Sequence, residues 1–251
     1  MNVSQAIICG GGKGLRLGMG SKPFIIYKNK LLLEYCIISC LNANIKDIII
    51  TIVPKKYNLG REKTAMLVEL IKKYPGIKFV YDDQKGFGEK PDYVRKYLDQ
   101  TAPFYLLTGH SPQSSLFLKK LALLYRKQSI VFSGYKYGYK KRMSVCMVNQ
   151  NKIGSCENFE LIRPRVFKSS KKEQFIIGEP HILNYHFYDE YAKKDNYSHS
   201  IEYYVDKFVR DGNSAYCIEN FGNIPEIDYK RDFSKALEII DQLDKEEHYF
   251  I

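Results

Sequence analysis

The residues best suited to chemistry lie close to the start of the chain. Gly10-Gly11-Gly12-Lys13-Gly14-Leu15-Arg16 directly follows the apolar run Ala6-Ile7-Ile8-Cys9. Glycines after a buried strand let the backbone approach a phosphate and aim several N–H groups at it. Lys13 and Arg16 add positive charge, and Arg16 can hold phosphate oxygens through two parallel hydrogen bonds. Such a loop suits a nucleotide. Two common phosphate fingerprints fit it poorly. The P-loop needs Gly-Lys followed by Ser or Thr, whereas here Lys13 precedes Gly14. The dinucleotide fingerprint needs a third glycine where Leu15 stands.

Other reactive residue types give weaker patterns. Lys168, Lys171 and Lys172 read first as solvated charge and only second as a site for an acceptor phosphate. Arg163-Pro164-Arg165 is a similar, weaker candidate for an acidic acceptor. His181, His186 and His199 show no metal spacing, and Tyr135, Tyr137 and Tyr139 alternate as one face of a strand would. The cysteines, at 9, 36, 40, 146, 156 and 217, include no Cys-x-x-Cys pair. Buried reduced thiols are expected rather than a zinc site.

Composition narrows the partners. The formal charge is +11, from 39 basic and 28 acidic residues, which favours anionic ligands. The basic residues are spread along the chain, so nucleic acid is not expected. The first residues lack a basic, apolar leader pattern. No run approaches the roughly 18 apolar residues of a membrane span. A cytoplasmic protein is expected.

Positioning these residues requires strands that alternate with helices. Ala6–Cys9 reads as a buried strand, 31–41 as a helix and 46–53 as a β-branched central strand. Thr64–Tyr74 reads as an amphipathic helix stopped by Pro75-Gly76, 78–81 as a strand and 91–100 as a helix with Pro91 in its first turn. Phe104–Leu107 reads as a strand and 115–126 as a helix. This βαβ order predicts a Rossmann-like mixed, mostly parallel sheet flanked by helices. The loops 10–17, 82–89 and 108–113 would then lie on one edge, where ligands bind. The second half is less regular. Strands are expected over 129–135, 143–148, 182–188 and 215–218, with a hairpin turn over 149–152 and helices over 200–210 and 233–243. The whole is expected to be a single domain over 1–251, with a nucleotide-binding half at 1–127 and an acceptor-side half at 128–251.

A longer constellation makes the loop more specific. Ile8 to Leu17, then Ser21-Lys22-Pro23-Phe24 and Lys30-Leu31-Leu32-Leu33-Glu34, resembles the nucleotidyltransferase superfamily. That superfamily includes sugar-phosphate nucleotidylyltransferases and molybdenum-cofactor guanylyltransferases. Its signature is an apolar strand, a Gly-Gly-x-Gly-x-Arg loop, a Lys beside Pro and a Gly-Lys-Pro-Leu-like helix start. Gln84-Lys85-Gly86-Phe87-Gly88 resembles the segment that contacts the base. Leu106 to Pro112 resembles the strand ending in Gly-Asp-x-Pro, and 143–153 the stretch crossing the acceptor side. Asn184 to Tyr188 is similar to the strand shaping the acceptor pocket, and Glu226 to Phe233 to the Asp-rich segment opening the final helix.

The resemblance implies transfer of an NMP group from an NTP to a sugar phosphate or similar phosphorylated acceptor, with release of pyrophosphate. It implies catalytic roles for Arg16, on the leaving pyrophosphate, and Lys22, toward the α-phosphate. Gly10, Gly11, Gly12, Lys13, Gly14, Gln84, Gly88, Gly109 and His110 would bind the nucleotide. Asp228 and Glu226 would supply late ligands to Mg²⁺. The family's first metal ligand, an Asp, is replaced here by His110, and imidazole suits softer ions. Three readings stay open: Mg²⁺ held by Asp228, Glu226 and phosphates; a preference for Mn²⁺ or Co²⁺; or a catalytically silent nucleotide or sugar-nucleotide binder. His110 could equally be an ordinary hydrogen-bonded loop histidine. A glycosyltransferase of related fold is a further alternative, weakened because Asp82-Asp83 is not the spaced Asp-x-Asp of such enzymes.

Overall fold

The computed structural model describes residues 3–11, 21–52, 59–81, 86–136, 145–157, 173–199, 201–220 and 230–247. In chain order these form β1 (Gln5–Gly10), a short ribbon of β2 (Ile26–Tyr27) and β3 (Lys30–Leu31), α1 (Leu32–Asn42), β4 (Asp47–Ile52), α2 (Arg61–Lys73), β5 (Lys78–Tyr81), α3 (Lys90–Val94), β6 (Phe104–Thr108) and α4 (Ser115–Leu124). There follow β7 (Ile130–Lys136), β8 (Val145–Asn149), β9 (Lys152–Glu157), β10 (Glu173–Leu183), α5 (Tyr185–Phe187), α6 (Ile201–Arg210), β11 (Ala215–Glu219) and α7 (Lys230–Glu247). They fall into two compact units: Val3–Asp99 with Phe104–Lys119 and Gly222–Ile251, and Lys120–Phe221 with Met1–Asn2 and Gln100–Pro103.

The first unit holds four parallel strands in the order β5-β4-β1-β6. Every residue of β1 is buried, as a strand covered on both faces requires. The isoleucines of β4 extend that core. Beside it, Ile25, Leu32 and Tyr35 pack with Ala236, Ile240 and Leu243 of α7. The β2–β3 ribbon was not expected from the sequence. Its turn, Lys28-Asn29, has φ values of 41° and 63°, the left-handed pair that a tight two-residue hairpin needs.

The expected helix over 91–100 is shorter. α3 ends at Val94, and a 3₁₀ turn carries the chain through Tyr97. The cause is a competing tie: the Asp99 backbone N–H donates to Gln5 Oε1 at 2.7 Å, and Gln5 Nε2 donates to the Asp99 carbonyl at 3.0 Å. A helix through 100 would not leave those groups free for β1.

The second unit departs from an open sheet. β10 pairs antiparallel with β7 on one edge and with β8 on the other. β7 pairs parallel with β11, β11 antiparallel with β9, and β9 antiparallel with β8. The five strands therefore close into a ring. β10 makes this possible because it runs for 11 residues, with Phe175 and Ile176 paired on both edges. A bulge between Gly178 and His181 bends it further. At Gly134 of β7 a Cβ would lie 2.5 Å from Cys217 Sγ and 3.0 Å from Phe175 Cβ, so the neighbouring strands pack on bare backbone there.

Two expectations for this half are corrected. Asn184–Tyr188 is not the end of a strand. Asn184 Oδ1 accepts the Phe187 N–H at 2.9 Å, the geometry by which Asn starts a helix. Helical spacing then stacks Phe187 on Tyr191 and sets both rings edge-on to Phe208 of α6. Nor are all the cysteines free thiols. Cys9, Cys36, Cys40 and Cys217 are buried and free, but Cys146 is disulfide-bonded. Its register partner on β9 is Cys156. Gln150 and Asn151, with φ of 47° and 64°, make the hairpin turn expected over 149–152.

Candidate functional site

The candidate site lies at the carboxyl ends of β1, β4 and β6. β1 ends at Gly10, opposite Ile52 of β4. A Cβ on Gly10 would stand 2.5 Å from the Thr51 carbonyl oxygen. Glycine is therefore required there by the close approach of the β4 backbone, before any ligand is considered. Gly11 follows, half-buried. Gly12, Lys13, Gly14 and Arg16 lie outside the described residues.

The chain returns to the same edge at Ser21. Lys22–Phe24 forms a 3₁₀ turn closed by the Phe24 N–H to the Ser21 carbonyl and the Ile25 N–H to the Lys22 carbonyl, both at 3.1 Å. Pro23 suits the first turn because its ring fixes φ and it lacks an N–H that would need a partner. Pro23 and Phe24 are buried while Lys22 is partly exposed, so the turn anchors through its apolar residues and presents the lysine.

Strand β6 delivers the third segment. Just past its end, the Gly109 N–H donates to the Cys9 carbonyl at 2.9 Å. A Cβ on Gly109 would meet Leu33 Cδ1 at 3.0 Å and Pro23 Cβ at 3.3 Å. Gly109 is thus wedged between β1, the Lys22 turn and the start of α1. His110 follows in the same turn, half-buried. The structure so brings Gly10, Gly11, the Lys22 turn, Gly109 and His110 to one edge.

Of the remaining candidates, Gly88 sits exposed in a 3₁₀ turn, Phe87–Glu89, with nothing within 4 Å of where its Cβ would be. Gln84, Glu226 and Asp228 lie outside the described residues. No cluster of three metal-ligating side chains occurs among the described residues, and His110 offers nitrogen where Mg²⁺ favours oxygen. The described donors do not by themselves build a magnesium site.

One residue escaped the sequence reading. Lys90, the first residue of α3, is only 5% exposed. Burial holds its amine below the ordinary lysine range, an effect the neighbouring Cys9 thiol opposes. The signal was available in the spacing: Lys90 stands four residues before Val94, which is fully buried, and so shares its helical face.

Two solved structures match almost the whole chain. An inositol-1-phosphate CTP transferase from T. maritima matches with a TM-score of 0.70 and 18% identity over 97% of each chain. A structure assigned as a glucose-1-phosphate thymidylyltransferase from Bacillus anthracis matches with a TM-score of 0.68 and 14% identity over 94% of each chain. No protein-family model and no curated protein matches the chain. The chain therefore shares its fold with sugar-phosphate nucleotidyltransferases. No helix among the described residues is long and apolar enough to cross a membrane.

Proposed function

We propose that the protein transfers a nucleotidyl group from an NTP to a phosphorylated small molecule, a sugar phosphate or cyclitol phosphate. The observation that carries this reading is the convergence of Gly10–Gly11, the Lys22 turn and Gly109–His110 at the carboxyl ends of β1 and β6. These are the segments that a nucleotidyl transfer must bring together. Both structural neighbours are described as enzymes of this class.

In the reaction an oxygen of the acceptor phosphate attacks the α-phosphorus. The bond to the bridging oxygen breaks, and pyrophosphate leaves with the electron pair. Little covalent chemistry is asked of the protein, so alignment and charge neutralisation dominate. Lys22, raised at the edge by Pro23 and Phe24, is assigned to the α-phosphate. Arg16 and Lys13, with the amides of Gly11, Gly12 and Gly14, are assigned to the β- and γ-phosphates and to the leaving pyrophosphate. Gln84 and Gly88 are assigned to the base. A divalent ion, for which Asp228 and Glu226 are the proposed ligands, would neutralise phosphate charge when bound. Its identity is left to experiment because His110 is a poor magnesium donor.

The test is pyrophosphate release across the four NTPs, with inositol 1-phosphate and hexose 1-phosphates as acceptors and Mg²⁺, Mn²⁺ or Co²⁺ present. Turnover with one NTP and one acceptor class is expected. Silence under every combination would sink the reading. His110 supports one rival, a silent nucleotide or sugar-nucleotide binder. Thermal stabilisation by nucleotides without turnover would favour it.

A further inference from the structure

Basic residues are spread along the chain, but acidic ones are not. From Gln100 to Cys156 the sequence holds nine lysines and arginines and no aspartate or glutamate, in a chain whose net charge is +11. Helix α4 lies inside that stretch. Its buried face is Leu118 and Leu121, continued by Tyr125. Tyr105 Oη donates to the Leu118 carbonyl at 2.6 Å and helps to anchor that face. The opposite face carries Leu116, Lys119, Lys120 and Leu123, all exposed. At about 3.6 residues per turn, these four share an arc of roughly 100°. Leu123 is 74% and Leu116 57% exposed, more than any other large apolar side chain among the described residues. Past the helix end, Arg126 Nη1 donates to the Leu123 and Tyr125 carbonyls at 2.6 and 3.0 Å. Arg126 and Lys127 are both exposed and extend the positive charge.

The other exposed helical surfaces are built differently. Lys72 pairs with Glu69, Lys194 with Glu190 and Arg210 with Asp206, each one turn apart. α2 also exposes Val68 and Ile71, but beside that mixed pair of charges. On α4 no such pairing can form, because the stretch has no acid. Glu247, which accepts the Ser115 N–H at the helix start, is buried and leaves the outer face cationic. Two leucines about 10 Å apart along the axis, set among unneutralised cations, fit a partner that is anionic at its surface and apolar just beneath. A bilayer with anionic headgroups has that profile, and lysine stems can follow the leucines while their ammonium groups stay at the phosphates. A second copy of the chain would set Lys119 and Lys120 against like charges. Nucleic acid would engage the lysines and leave the leucines in water. Protein interfaces favour aromatic residues and arginine at their centres, with lysine depleted and leucine seldom dominant.

We propose that the exposed face of α4 docks on an anionic membrane surface. Leu116 and Leu123 enter the headgroup boundary, and Lys119, Lys120, Arg126 and Lys127 lie against lipid phosphates. The contact is peripheral, since the ten residues of α4 are too few to span a bilayer. Charge draws the protein in over roughly a Debye length, and the leucines hold it once it arrives. The inference concerns where the protein works and does not rest on the nucleotidyl-transfer reading.

Co-sedimentation of the full chain with lipid vesicles tests it. One set is phosphatidylcholine alone, the other phosphatidylcholine mixed two to one with phosphatidylglycerol. Wild type is expected to bind the mixed vesicles and not the neutral ones, with salt weakening the binding. K119Q/K120Q and L116Q/L123Q are each expected to lower the partition coefficient about tenfold or more. All four side chains are exposed, so both variants are expected to keep the wild-type Tm. K193Q/K194Q removes the same charge from another exposed lysine pair and is expected to bind as wild type does. A wild type that ignores the mixed vesicles would overturn the proposal. So would an equal loss in K193Q/K194Q, which would mean diffuse attraction by net charge. Undiminished binding in L116Q/L123Q would also overturn it, since a purely ionic contact is what a nucleic acid or an acidic protein would make. None of these outcomes bears on nucleotide turnover.

Discussion

Gly10 and Gly109 are both needed bare, for different reasons. A Cβ on Gly10 meets a backbone carbonyl at 2.5 Å, whereas one on Gly109 meets the Leu33 side chain first, at 3.0 Å, with the Cys9 carbonyl oxygen and Pro23 Cβ at 3.3 Å. Backbone within a parallel sheet cannot move aside without disturbing its ladder, while side chains can give by a few tenths of an ångström. G10A is therefore expected to destabilise by about 1–3 kcal/mol, the usual range for overpacking, and G109A by less. Chemical denaturation of the two variants checks the order, and a G109A loss equal to that of G10A would contradict it. The loop's place was legible in the sequence because a buried strand running into glycines is a strong local signal. That the first of those glycines answers to β4 was not legible, because the contact is with a strand some forty residues away. His110 is where the proposed metal site departs from carboxylate chemistry. Replacing imidazole by carboxylate supplies the hard oxygen that Mg²⁺ prefers, so H110D is expected to raise turnover with Mg²⁺ relative to Mn²⁺. An unchanged ratio would put His110 beyond reach of the ion.

Among the elements, α7 illustrates what periodicity misses. Apolar spacing predicts a helix over 233–243, but α7 runs from Lys230 to Glu247. The extra C-terminal turn reads as solvated charge, Asp244-Lys245-Glu246-Glu247, yet Glu247 is only 1% exposed. Its Oε1 accepts the Ser115 N–H at the start of α4 at 2.5 Å. Its Oε2 accepts from Asn42 Nδ2 at the end of α1 at 3.0 Å. The positive end of α4 favours that carboxylate. Earlier in α7, Asp241 accepts from Tyr27 Oη at 2.8 Å and from Lys28 Nζ at 2.8 Å, which ties the helix to the ribbon that follows the Lys22 turn. The C-terminal helix thus braces a site formed by N-terminal loops, a tie that no local pattern encodes. E247Q would turn an amide N–H₂ toward one of two donors. A loss of about 1–3 kcal/mol is expected from the buried donor left unpaired, or a fall in Tm of several degrees for a chain of this size. A Tm within one degree of wild type would remove Glu247 from this bracing role.

At the scale of the whole molecule, the sequence carried the first half further than the second. Alternating strands and helices have a strong local signature, and the parallel pairing of β5, β4, β1 and β6 agrees with it; their order is not in that signature. A closed ring has none. It depends on a single long strand offering both edges, and on the bend at Gly178–His181. That bend also holds the clearest pH-dependent group of the second unit. His181 is 3% exposed, with its ring centroid 4.9 Å from that of Phe132. Burial pushes its pKa down from 6.5 to about 3, against the opposing pull of hydrogen bonds with the backbone of Gly178 and Pro180. Between those two values the unfolded chain binds a proton that the folded chain refuses. The stability associated with neutral His181 is therefore fully present above about pH 6.5, falls as the pH drops, and is lost by about pH 3. The slope from this one group approaches about 1.4 kcal/mol per pH unit in the middle of that window. Carboxylates titrate in the lower part of the same window, so the informative quantity is a difference between proteins. H181Q keeps a polar side chain on β10 and removes the titration. Urea midpoints of both proteins between pH 7 and pH 4.5 are expected to diverge, with the wild type falling more steeply. Parallel midpoints would mean that His181 accepts its proton without unfolding the ring.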